Sequence, residues 1–530
     1  MDFTVVDYHQ PMLYYSLQLP QRMIEHGGQP INPITNPDGT WTYAAVLNGY
    51  AGFAEGSSYQ QDDKFTMKDK LGIEIDVVKD VLKISGDLSY LFARNKRERV
   101  TNMYTGYRGP DTPITVNESQ GSTLENLRQD TNYLSSNIYG EYTPKLGDDH
   151  TLKLLAGWNL ETKKYRGTTI KREGLTVPSK PSFGLMDGLT SDPVVSGYDW
   201  SYVGAFFRAN YGYQGKYLAE FSCRYDGSSK FLPKNRWNFF WGASAGWRIT
   251  EEKFMENLRD YVNELKLRAS YGEVGNQNGI GRYDGIQLYN YKSNSGALLG
   301  NSKGTYVESA GLVSTVRTWE RIYNYNLGID FGFFNNRLTG TFEIFKKKND
   351  NMLVSRLHPG VLGGIAPSTN SGKFEANGYD VSLTWHDKIG SFNYHVGGTL
   401  TYMTNKLVDG GNIVVSAGYN EAVNGYPLNS VFGYRYVGKV QNQDQLDYYV
   451  DKYVGSNSIA LPANLRLGDH MYEDVNKDGK LTQDDLVFLG SDDPKYSFSF
   501  NFGCEWKGFD FNVHFQGAGK SSFFINGSTV

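Results

Sequence analysis

Apolar and polar positions alternate strictly along much of this chain. In residues 495–506, Tyr496, Phe498, Phe500, Phe502, Cys504 and Trp506 interleave with Lys495, Ser497, Ser499, Asn501 and Glu505. After Lys507 and Gly508 the phase reverses, and Phe509, Phe511, Val513 and Phe515 interleave with Asp510, Asn512, His514 and Gln516. A period of two predicts β-strand, and two such runs around a Lys-Gly turn predict a hairpin with one apolar and one polar face. Residues 216–226, 236–249 and 391–404 repeat the pattern. Such ribbons fit a soluble sandwich with a buried inner face, or a membrane barrel whose apolar face meets lipid.

About 14 runs are long enough to cross a bilayer as tilted strands, for which ~9–11 residues suffice. They lie near 69–79, 83–94, 131–143, 150–160, 199–213, 216–226, 237–248, 264–273, 322–332, 337–347, 374–386, 391–404, 494–506 and 508–517. Short links at 214–215, 335–336, 388–390 and 507–508 mostly alternate with long excursions at 95–130, 161–198, 274–321, 348–373 and 405–493. The links at 227–236 and 249–263 blur that alternation. Long structureless loops count against a compact sandwich, whereas short turns on one side and long loops on the other are the asymmetry of an outer-membrane barrel. The predicted class is therefore all-β, an antiparallel transmembrane β-barrel with long extracellular loops.

Four regions follow. Residues 1–68 are expected as an extracellular loop region, with turn signals in "PINPITNPDGTW", and 69–404 as barrel strands and loops. Residues 405–493 are expected as a large extracellular excursion, and 494–530 as a barrel hairpin with its following strands expected beyond residue 530. Parity puts "SVFGYRYVGKV" (430–440) inside the excursion rather than across the membrane as a lone strand. Residues 250–263, opening on Thr250, read as a short helix at most.

Lys and Arg number 53 against 57 Asp and Glu, so no basic excess recommends nucleic acid as a partner. Glycine is abundant, with 60 residues, and so is tyrosine, with 39. Cys223 and Cys504 both sit on apolar strand faces and read as small apolar fillers. No run approaches a transmembrane helix, and the start lacks a charged n-region followed by an apolar h-region, so either the chain is cytosolic or its beginning lies upstream and Met1 is an internal methionine.

The motifs carry little catalysis. "GASAG" (242–246) matches the G-x-S-x-G elbow, but that elbow needs a strained turn, and here Ser244 lies within an alternating strand. The eight histidines offer no H-x-x-x-H or H-E-x-x-H spacing, which argues against a zinc enzyme. The aromatic stretches "YNYKSNSG" (289–296) and "YVDKYVG" (449–455) are read as surface loops with the composition to stack sugars. "DVNKDGKLTQDD" is sharper. Asp474, Asn476 and Asp478 stand at loop positions 1, 3 and 5, Gly479 at 6, Lys480 with its carbonyl at 7, Thr482 at 9 and Asp485 at 12. This is EF-hand spacing for Ca²⁺, with Asp in place of the usual Glu at position 12; the other reading is an Asx-rich turn held by its own side-chain to backbone bonds. No organic cofactor is expected.

Three stretches resemble a known family: "RYDGSSKFLPKNRWNFFWGASAGWRITEEKFM" (224–255), "LKLRASYGEVGNQNGIGRY" (265–283) and "GDHMYEDVNKDGKLTQDDLVFLGSDDPKYSFSFNFGCEWKGFDFNVHFQGAGK" (468–520). The chain resembles SusC/RagA-type TonB-dependent outer-membrane transporters of Bacteroidota. The resemblance implies about 14 spanning strands of a barrel of about 22 with a plugged lumen. It also implies import driven by TonB, ExbB and ExbD through a plug and Ton box lying before residue 1. A SusD-like lipoprotein would cover the mouth, and the cargo would be a glycan, oligosaccharide or peptide. A passive porin or surface-binding barrel, and a secreted β-rich glycan-active enzyme, are the alternatives.

Overall fold

The computed structural model describes residues 2–11, 33–47, 50–55, 58–109, 112–115, 122–177, 179–292, 311–356, 367–411, 422–453 and 465–522, with short stretches in 296–309, 359–361 and 415–420. One antiparallel sheet of 15 strands dominates. Its strands are β1 (Asp2–Pro11), β2 (Tyr59–Val78), β3 (Leu82–Thr101), β4 (Thr123–Tyr142), β5 (His150–Glu173), β6 (Val194–Tyr213), β7 (Tyr217–Ser228) and β8 (Trp237–Arg248). They continue with β9 (Val262–Asn276), β10 (Glu320–Phe333), β11 (Leu338–Val354), β12 (Thr369–Ile389), β13 (Phe392–Asp409), β14 (Tyr496–Trp506) and β15 (Phe509–Gly519). Each strand pairs with the next in sequence, and β1 and β15 are not paired with each other.

This order settles the two ambiguous links. Residues 79–81, 143–149, 214–216, 249–261, 334–337, 390–391 and 507–508 all fall at one end of the sheet. Residues 12–58, 102–122, 174–193, 229–236, 277–319, 355–368 and 410–495 fall at the other. The alternation of short turns with long loops thus holds apart from two connections, the compact 229–236 at the long-loop end and the extended 249–261 at the short-turn end. The two-residue turn at Lys507 and Gly508 has φ of 49° and 88°, the positive pair that matches such a hairpin to strand twist. Residues 249–261 carry only 3₁₀ turns at Ile249–Glu251 and Lys253–Leu258, and no side-chain cap forms.

All 14 runs are strands, and most extend beyond their expected bounds toward the long-loop end. β5, expected to stop at 160, continues to Glu173, and β2 begins at Tyr59 rather than 69. Twenty residues rising about 3.3 Å each span roughly 65 Å, far more than a bilayer core of about 30 Å. The extra halves are polar on both faces. Opposite charges there stand directly across the ladder, as in Asp62 with Arg97 (2.8 Å) and Arg94 with Asp130 (2.7 Å).

Residues 1–68 are corrected in part. Asp2–Pro11 is a strand, and it pairs along its whole length with Tyr59–Lys68 of β2. Its adjacent Val5 and Val6 break the alternation, so the pairing is specified by the neighbouring backbone rather than by its own pattern. "PINPITNPDGTW" begins at residue 30, and its first three residues lie outside the described residues; Asn36 and Gly39 in the remainder form the expected turn.

The two faces of the sheet differ sharply. Even-numbered Phe498 and Phe500 of β14 are 50% and 47% exposed, and Phe511 of β15 is 55% exposed. Across the sheet Leu71, Ile73, Trp158, Phe221, Trp241 and Leu327 are likewise exposed. No second layer covers this face among the described residues. The polar face is concave: Asp87 of β3 and Val274 of β9 line the same cavity of about 770 Å³.

Candidate lumen and external lobe

The polar, concave face holds clusters of paired charge, each seated over a glycine. Arg224 on β7 donates from Nη2 to Asn159 Oδ1 (2.8 Å), the Tyr202 hydroxyl (3.0 Å) and Asp226 Oδ1 (3.0 Å). A side chain at Gly204 would collide with all three of Arg224, Asp226 and Asn159, so that glycine is the space in which the cluster forms. Two strands further on, Arg268 of β9 lies across Gly328. It donates to Asp330 Oδ1 at 3.1 Å and to Glu343 on β11, while Lys266 sits 3.6 Å from Asp330. A second cavity of about 660 Å³ runs from Lys153 on β5 past Ser244 and Arg268 to Asn326 on β10. Ser244 pairs with Ser270 in the ladder, in an uninterrupted strand without the elbow's turn.

Arg268 fastens three strands, so its loss is felt beyond one pair. Arg268→Ala leaves Glu343 without its cation and Asp330 with Lys266 alone. Because all three groups are a third or less exposed, we expect a loss of about 1–2 kcal/mol, between an exposed and a buried pair. Urea unfolding of the barrel in detergent checks this, with Arg268→Lys retaining part of the stability.

At the long-loop end the connections interlock. Phe231, Phe240, Ile280 and Trp319 form a buried cluster, and Trp319 Nε1 donates to the Arg236 carbonyl at 3.0 Å. Asn235 Nδ2 donates to the Arg317 carbonyl (3.1 Å), Arg317 Nε to the Ser368 carbonyl (3.1 Å), and Arg282 lies 3.4 Å over the Tyr198 ring. The rim is therefore built rather than loose.

The described residues of 410–495 fold into a lobe tied to β13. Leu407 exchanges backbone bonds with Gly425 and Tyr426, and Asn405 donates to Asp493 at 3.1 Å. Inside the lobe, Ser430–Tyr434 pairs with Gly418–Asn420 and Leu486–Ser491, and Tyr436–Lys439 pairs with His470–Tyr472, so 430–440 is no membrane crossing. A helix at Gln443–Tyr453, not anticipated from the sequence, is capped by Asn442 Oδ1 accepting from Gln445 N (2.9 Å). Its Leu446, Tyr449, Val450 and Tyr453 follow helical spacing, a signal hidden by the tyrosine-rich composition. Tyr449 and Tyr453 are buried with Leu481, which removes them from sugar stacking; Tyr289 and Tyr291 of the other aromatic stretch are exposed. Exposed Tyr448 and Lys452, with Met471, Glu473 and Lys477, open a cavity of about 630 Å³.

The loop 474–485 packs against this helix. Asp474 accepts from Asp478 N (3.2 Å) and Gly479 N (2.9 Å), Asn476 Oδ1 from Asp478 N (2.9 Å), and Asp478 Oδ1 from Lys480 N (2.8 Å). Lys477 and Gly479 take positive φ. Asp485 is fully buried and accepts from Val475 N (2.9 Å), Asn476 N (3.4 Å) and Thr482 N (2.8 Å), closing a capping box with the Thr482 hydroxyl. Burial first, and the charge of Asp485 second, push the Tyr434 phenol above its ordinary range. Among the described residues no three Asp, Glu, His or Cys side chains converge as a metal cage. The loop's own amides engage Asp474, Asn476, Asp478 and Asp485.

With this geometry in place, likeness to known proteins decides the family. The description "TonB dependent receptor-like, beta-barrel" matches residues 24–481. The chain belongs to that family. TonB-dependent receptor P26 of Formosa agariphila is 27% identical over 452 residues, covering 80% of this chain and 42% of that protein. TonB-dependent receptor SusC of Bacteroides thetaiotaomicron is 28% identical over 276 residues, 47% of this chain and 26% of SusC. In fold, the structure of the RagAB peptide transporter aligns with a TM-score of 0.67 at 19% identity, over 88% of this chain and 48% of that one. The chain thus spans less than half the length of these relatives. It is an outer-membrane β-barrel protein of the TonB-dependent receptor family, and its exposed apolar face is the lipid-contacting face.

Proposed function

We propose that this chain is the barrel wall and external lobe of a TonB-energised importer of glycans, oligosaccharides or peptides. In this reading a SusD-like lipoprotein docks over the long-loop end, and TonB, ExbB and ExbD supply the energy. The observation that carries it is the lobe 410–495, a folded body fastened to the rim at β13 and open at a tyrosine-lined cavity, which offers a lid or a cargo a built surface at the barrel mouth. The test is uptake of fluorescent oligosaccharides and of labelled peptides by cells with and without the gene, in the presence and absence of a protonophore. Gene-dependent uptake of either class that collapses with the protonophore supports the importer, and the class taken up names the cargo. Gene-dependent uptake that survives the protonophore means a passive barrel.

Calcium at 474–485 is a second proposal, supported by ligand spacing. A carboxylate offers about four lone-pair sites, and amides occupy three on Asp485, so a bidentate seat is not free. The affinity expected is accordingly that of weak extracellular modules, about 10⁻⁴–10⁻³ M. Millimolar Ca²⁺ should slow proteolysis of the lobe relative to a chelator, and Asp474→Asn should abolish the difference; equal proteolysis in both conditions sinks the proposal.

A further inference from the structure

Eight histidines lack any metal-binding spacing along the sequence, yet the fold brings two of them face to face. His386 on β12 and His395 on β13 are register partners across the 390–391 turn, and their ring centroids stand 5.9 Å apart. Both occupy the polar face, in phase with Thr384 and Thr399 rather than with Trp385 and Val396. Neither ring has a hydrogen-bond or ion-pair partner among the described residues.

The next strand leaves room for them. His395 pairs with Gly503 of β14, which pairs with Asn512 of β15. A side chain at position 503 would collide with the His395 ring and with the Asn512 carboxamide, so both groups occupy the space above that glycine. One row nearer the turn, Lys388, Asn393, Glu505 and Asp510 follow the same register, and Glu505 and Asp510 place negative charge beside the pair. A cavity of about 390 Å³ opens at both histidines, with Arg337, Asp387, Lys388 and Glu505 around it.

We propose that His386 and His395 form a cross-strand clamp for a divalent transition metal that prefers imidazole, namely Zn²⁺, Ni²⁺ or Cu²⁺. With metal–nitrogen bonds of about 2.0–2.1 Å, two imidazoles on one tetrahedral ion have centroids roughly 5 Å apart, so 5.9 Å asks for about 1 Å of closure. Facing side chains of an antiparallel pair have Cβ atoms about 4.5–5.5 Å apart, which lets both rings reach one ion without moving backbone. No third Asp, Glu, His or Cys converges on the pair among the described residues, so the remaining coordination positions fall to water and the Asn512 carbonyl oxygen. Imidazole donors select these ions over Ca²⁺ and Mg²⁺. The clamp sits at the short-turn end of the lumen face, remote from the 474–485 loop.

The test uses the protein purified from outer membranes in detergent, without a histidine tag. Zn²⁺ is titrated calorimetrically, and Cu²⁺ is followed by its electron paramagnetic resonance. The clamp predicts one site, nitrogen hyperfine structure from two imidazoles, at least 10-fold weaker Zn²⁺ binding in either His386→Gln or His395→Gln, and no site in the double variant. His514→Gln should leave binding unchanged, because His514 lies two strands away and one row off. Heat-modifiable gel mobility reports whether each variant is folded. Binding in the wild type no tighter than in a folded double variant, or equal loss in His514→Gln, overturns the proposal.

Discussion

Asp485→Ala is expected to unfold the 474–485 loop and loosen the external lobe while leaving the barrel intact. Asp485 is fully buried, and its carboxylate is the acceptor for the amides of Val475, Asn476 and Thr482. Each buried amide left without a partner costs about 1–3 kcal/mol. The sum is not additive, but a loss of about 3 kcal/mol or more follows for the lobe. Asp485→Asn keeps one acceptor oxygen and should fall between. Hydrogen exchange resolves the effect by segment: protection should drop across 430–440, 443–453 and 470–491 and stay unchanged in β12 and β13. Unchanged protection in the lobe would mean that Asp485 is not its anchor.

The second large effect concerns the lipid-facing side. Phe500→Arg puts a charge on the exposed apolar face of β14, whereas Asn501→Arg puts the same charge one residue along, on the polar face. An arginine near the bilayer midplane costs about 2–4 kcal/mol on a barrel's lipid face, while a lumen position tolerates it. Folding yield into lipid vesicles should therefore fall steeply for Phe500→Arg and stay near wild type for Asn501→Arg. A similar yield for both would contradict the assignment of faces.

The sequence made the membrane-depth portion of the fold legible because lipid imposes apolar residues on one face only, so Phe498, Phe500 and Phe502 announce themselves against Ser499 and Asn501. Above the bilayer that constraint lapses. The upper halves of β2 to β5 are polar on both faces, held by cross-strand pairs such as Asp62 with Arg97 and by the backbone ladder, and no periodicity marks them. β1 was missed for the same reason, since its partner rather than its pattern fixes its place. The glycines beneath Arg224, Arg268 and His395 were equally silent, because a seat for a side chain of the neighbouring strand is a property of register. The 474–485 loop was visible as ligand spacing, but the spacing could not say whether a cation or the loop's own amides use Asp485. The helix Gln443–Tyr453 was hidden because its buried residues are tyrosines, which read as surface.

Site-directed spin labelling of β14 in lipid tests the central assignment most directly. Labels placed one at a time at positions 498 to 502 are compared for collision with oxygen, which concentrates in lipid, and with a water-soluble nickel chelate. The fold predicts a period of two, with positions 498, 500 and 502 accessible to oxygen and 499 and 501 to the chelate. Uniform chelate access along all five positions, or the opposite phase, would contradict a barrel wall with its aromatic face in the membrane.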